Sequence, residues 1–104
     1  MAKYTLEVIM PKGNTFRDID CTLTEARLKA INLIKNRGKN SYVFICDGTW
    51  DMNALERIDY DEYINDWVCQ QYRVRGKKLD RSRRYRLSAK TGKLLDWDKY
   101  WRYL

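Results

Sequence analysis

Hydrophobic and polar residues alternate from the start of the chain. Tyr4, Leu6, Val8 and Met10 fall on one side of an extended segment and Thr5, Glu7 and Ile9 on the other, which predicts a half-buried strand over residues 4–10. The cluster Pro11-Lys12-Gly13-Asn14 predicts a turn. Residues 15–21 then read as a returning strand, with Arg17, Ile19 and Cys21 on one face and Phe16, Asp18 and Asp20 on the other. At Thr22 the period changes. Leu23, Ala26, Ala30, Leu33 and Ile34 recur at helical spacing, with Leu28 off the stripe. Thr22 and Glu25 have the spacing of a capping box, which satisfies backbone donors that a first helical turn leaves unpaired. Gly38 predicts the stop, preceded by Lys35 and Arg37, whose charges suit the negative end of the helix dipole.

The continuous apolar run from Tyr42 to Cys46 predicts a central strand. Asp47-Gly48 is a tight hairpin signal, because both central residues of a type I′ turn need positive φ. Trp50, Met52 and Ala54 alternate on the expected return strand, which should end near Ile58. Asp59 and Glu62 repeat the cap spacing, and Tyr60, Tyr63, Ile64, Trp67 and Val68 follow a helical period. Together they predict a second amphipathic helix over about residues 60–72, with Asp61, Glu62 and Asp66 outward. Residues 73–83 read as a loop or ragged strand, Tyr85 to Ser88 as a strand, Thr91-Gly92 as a turn and Leu94-Leu95 as its return. In the segment 96–104, Trp97, Tyr100, Trp101 and Leu104 share a helical face, so a short aromatic helix is expected, with a strand as the alternative. The expected architecture is one α+β domain spanning residues 1–104: a mainly antiparallel sheet in ββαββα order, two packed helices, a basic β-hairpin and a C-terminal aromatic helix.

Charge changes this picture most. Ten of the 21 residues from Arg73 to Lys93 are basic and only Asp80 opposes them, a local balance of +9 against +7 for the whole chain. The remainder is therefore slightly acidic, and the positive field has one source. Such a field attracts polyphosphate, since each neutralised phosphate releases condensed counterions. The candidate nucleic-acid-binding residues are Arg73, Arg75, Lys77, Lys78, Arg81, Arg83, Arg84, Arg86, Lys90 and Lys93, with Tyr85 placed to stack or position. Arg outnumbers Lys there six to four, and guanidinium gives planar, forked contacts to phosphate. The competing expectation is internal pairing. Residues 47–66 hold seven acids against Arg57 alone, and Arg73 and Arg75 lie closest in sequence to that acidic segment. The aromatic residues Trp97, Tyr100, Trp101 and Tyr103 are candidates for a protein interface, or for docking on the domain itself.

Several chemistries are removed by composition. The chain has no histidine, which excludes Ser-His-Asp and Cys-His catalysis and imidazole acid–base chemistry. Cys21, Cys46 and Cys69 form no C-x-x-C pair and read as reduced thiols of a cytoplasmic protein. No metal site or cofactor is expected: the pairs Asp18/Asp20, Asp59/Asp61 and Asp96/Asp98 are explained by caps and a solvent-facing strand side. No apolar run is long enough to span a membrane, and the N-terminus lacks the apolar segment of a secretory signal. The leading expectation is a non-enzymatic module that binds RNA, DNA or a nucleoprotein enzyme through the basic loop and hairpin. An alternative is an inhibitor or adaptor, of the kind found in phage or mobile elements, that binds a host nucleic-acid-processing enzyme. A second is a metal-free ribonuclease like the small bacterial RelE-type toxins. Arg84, Tyr85, Arg86 and Lys90 supply the residue types for that chemistry, but no sequence motif ties the chain to that family.

Overall fold

Alternation wins over helical spacing along most of this chain. The computed structural model describes residues 3–38, 40–47, 54–72, 74–75, 78–79 and 83–97. Its strands are β1 (Lys3–Met10), β2 (Gly13–Asp20), β3 (Tyr42–Asp47), β4 (Ala54–Asp61), β5 (Asp66–Gln71), β6 (Val74–Arg75), β7 (Lys78–Leu79), β8 (Arg83–Leu87) and β9 (Leu94–Trp97). Among the described residues there is one helix, α1 (Leu23–Arg37). Seven strands make an antiparallel sheet in the order β2-β1-β3-β4-β5-β8-β9, and β6 and β7 pair separately.

The first half follows the expected pattern. Tyr4, Leu6, Val8 and Met10 all turn toward α1, which packs across β1, β3 and β4. Thr22 caps the helix by accepting the Glu25 backbone N–H at 3.2 Å, and the Gly38 N–H closes the far end on the Ile34 carbonyl. Leu6, Ile31, Ile34, Val43, Ile45, Ile58 and Leu87 are fully buried between helix and sheet, each large aliphatic contributing about 1.5–3 kcal/mol. Leu28, off the predicted stripe, is half-buried against the turn at Gly92. A Cβ built on Gly92 would lie 3.1 Å from the Leu28 Cγ and 2.4 Å from the Thr24 carbonyl oxygen. The apolar face of α1 is thus wider than the stripe, because the turn after β8 also packs on it.

The expected ββαββα order with two packed helices does not occur. Residues 60–72 form the end of β4, a turn and β5. Tyr60 and Trp67 explain the ambiguity. Two turns of helix would put them on one face. In the hairpin they oppose each other across strands, with ring centroids 5.2 Å apart at 71°. Val68 discriminates: helical spacing groups it with Tyr60, whereas the ladder pairs it with Asp59, on the sheet face opposite Trp67. The turn has its own local chemistry. The Tyr63 backbone N–H donates to the Asp61 carboxylate at 2.8 Å, and Asn65 adopts φ 54°. Asx bonding and a left-handed Asn both favour a turn over a continuing helix. Asp59 is accordingly a mid-strand residue and caps nothing.

Asp96 and Trp97, the expected start of the aromatic helix, are the last residues of β9; the rest of that predicted helix, residues 98–104, lies outside the described residues. The predicted positions of Trp50 and Met52 also lie outside them. No described helix is long and apolar enough to cross a membrane.

Candidate nucleic-acid interface

Strand alternation divides the basic residues between two sheet faces. On β8, Tyr85 and Leu87 turn toward the helix side. Arg84 and Arg86 turn to the opposite side, next to Gln70 and Val68 of β5. Tyr85 therefore does not join Arg84 and Arg86 in one surface; it is half-buried and opposes Trp97 in the β8–β9 ladder. The β4–β5 hairpin carries its acids to the same side as the two arginines. Arg84 forms an ion pair with Asp61, and Arg86 donates from Nε and Nη2 to one oxygen of Asp66 at 3.0 and 2.7 Å. Internal pairing thus takes Arg84 and Arg86, although sequence proximity had pointed to Arg73 and Arg75. The reason is register: the hairpin at residues 62–65 sets Asp61 and Asp66 side by side, and β8 is the next strand.

Lys90 and Lys93 are exposed on the turn from β8 to β9, which the Ser88 hydroxyl organises by accepting the Lys90 and Thr91 backbone N–H groups. Arg83 is the first residue of β8, opposite Gln71 of β5. Arg75 and Lys78 occupy directly opposing positions of the β6–β7 pair. Arg73, Lys77 and Arg81 lie outside the described residues, as do Tyr100, Trp101 and Tyr103.

A second constellation escaped the sequence reading. Tyr42, Phe44, Arg57 and Tyr72 gather on the sheet face away from α1. Tyr42 and Phe44 are i and i+2 on β3, with centroids 5.6 Å apart at 87°; Phe44 and Tyr72 lie 6.3 Å apart. The Arg57 guanidinium carbon sits 4.1 Å from the centre of the Tyr42 ring, and its Nη2 reaches Asp59 at 3.5 Å. Its Nε is buried and has no hydrogen-bond partner. All three rings are half-buried, and no described helix packs on this face. Phe16, 57% exposed, continues the face across Glu7 to Phe44. Reading Tyr42 to Cys46 as one buried apolar run hid this arrangement; the detectable signal was two aromatic residues at strand spacing, flanking an inward valine.

Ionisable groups elsewhere are structural. Under α1, Arg27 donates from Nε and Nη2 to both oxygens of Glu56 at 2.7 Å, and Gln71 adds a third bond to Glu56 at 2.8 Å. Burial pushes the Cys46 thiol up to about 11 and raises Cys21 and Cys69 as well, so none of the three is an activated nucleophile. Among the described residues, no three acids or thiols stand close enough to hold a metal ion. Asp59 and Asp61 face Arg57 and Arg84. No family model, curated protein or solved structure matches this chain.

Proposed function

We propose that this protein is a non-enzymatic nucleic-acid-binding module whose main phosphate contacts come from the connection between β5 and β8. One observation carries the reading: the β6–β7 pairing puts Arg75 directly opposite Lys78. Like charges at opposing register positions are destabilising on their own, and a bound polyanion relieves the repulsion. The same connection holds Arg73, Lys77, Arg81 and Arg83 with only Asp80 against them. Pairing of Arg84 with Asp61 and Arg86 with Asp66 makes these two secondary contributors and moves the weight of the site into residues 73–83. The three unpaired cysteines suit a reducing, cytoplasmic compartment.

The test is a salt titration of binding to a labelled oligonucleotide. Six phosphate contacts give a slope of log affinity against log salt of about −5 on duplex and about −4 on single strands. A flat slope, or no binding at low salt, removes the proposal. Recovery of one protein from a nuclease-treated lysate, with no oligonucleotide binding, would support the inhibitor reading in its place.

A further inference from the structure

Resting on that reading, we infer that the ligand is single-stranded nucleic acid, whose bases stack on the Tyr42–Phe44–Tyr72 face. Three features converge on this partner. The face offers three rings in series, Tyr42 5.6 Å from Phe44 and Phe44 6.3 Å from Tyr72, and aromatic side chains are the platforms on which single-stranded bases stack. Arg57 adds a guanidinium plane already resting on Tyr42. Its Nε is a donor without an acceptor, which a base edge or phosphate can supply while Nη2 stays on Asp59. Finally, charge and aromatic surface are joined by the chain itself: Tyr72 directly follows β5, and the basic connection begins at the next residue.

The acids on this face do not oppose the arrangement. Asp59, Asp61 and Asp66 each have an arginine partner, and Asp61 and Asp66 flank the 62–65 turn, at the end of β5 opposite to Tyr72. A duplex keeps its bases stacked on each other and presents only edges and phosphates, so it gains nothing from the rings.

The experiment measures affinity of the full chain for four labelled ligands of about twelve nucleotides: a DNA strand, the RNA strand, an abasic strand with the same phosphates, and the duplex. Base-dependent binding, with either base-bearing strand at least ten-fold tighter than the abasic one, supports the inference. Phe44→Leu and Tyr72→Leu, which keep an apolar side chain, should weaken the base-bearing strand by roughly five-fold or more each and leave the abasic strand unchanged. Lys77→Glu/Arg81→Glu should weaken all four. Equal affinity for base-bearing and abasic strands in the unmutated protein, or preference for the duplex, overturns the inference while leaving phosphate binding intact. Failure to bind any of the four removes the functional reading as well.

Discussion

Replacing Glu56 by Gln isolates the largest electrostatic commitment inside this fold. The Arg27 and Glu56 side chains are only 9% and 2% exposed. The carboxylate accepts two bonds from Arg27 and one from Gln71, and Arg27 also donates from Nη1 to the Gly92 carbonyl at 3.1 Å. Gln keeps the shape and loses the charge, and its amide NH₂ then faces a guanidinium N–H. Each charge-assisted bond is worth about 1.5–3 kcal/mol, and an orphaned buried charge costs about 3–5 kcal/mol in all. A chain of this length is stable by about 5–15 kcal/mol, so the loss is a large fraction of the whole. At an m-value of about 2 kcal/mol/M, the urea midpoint falls by about 2 M. Arg27→Met/Glu56→Met removes both charges. It should recover all but about 1–2 kcal/mol, the residue of the partners lost by Gln71 and Gly92. The assay is urea unfolding of wild type, Glu56→Gln, the single variants Arg27→Met and Glu56→Met, and the double variant. A Glu56→Gln cost below about 1 kcal/mol, or a double variant as unstable as the singles summed, would refute the reasoning. Acid should reproduce the effect. Burial opposes ionisation of Glu56, but the bonds from Arg27 and Gln71 outweigh it and hold its pKa below the usual 4.5. The stabilisation is complete above that value and is lost as pH falls through the lowered one.

Two further predictions concern packing. Gly92→Ala introduces a Cβ at φ +75° and 2.4 Å from the Thr24 carbonyl oxygen; strain and overpacking together should cost about 2–4 kcal/mol, visible as a lower thermal midpoint, and a change within about 0.5 kcal/mol would contradict the docking of this turn on α1. The three thiols should resist a thiol-reactive chromophore at pH 8 in the native state and all react in urea, because each is buried and its pKa is raised, Cys46 to about 11; a stoichiometric burst from native protein would show that one of them is accessible.

Local physics made the first 47 residues legible. Alternation around Leu6 and Val8, the Thr22 cap and the Gly38 stop each act within a few residues, so the sequence alone determined two strands, a helix and a third strand in their places. It also determined that positive charge is concentrated in one segment and that histidine chemistry is absent. Residues 59–72 went the other way because the same side chains satisfy two periods. Tyr60 and Trp67 meet in a helix or in a hairpin, and only long-range pairing with β3 and β8 selects the hairpin. That selection fixed the charge pattern. Once β4, β5 and β8 are adjacent, Arg84 and Arg86 face Asp61 and Asp66, and Tyr85 is turned to the other side. The aromatic face has the same origin. Tyr42 and Phe44 come from β3, Arg57 from β4 and Tyr72 from just past β5, and their meeting depends on register, which no local pattern encodes.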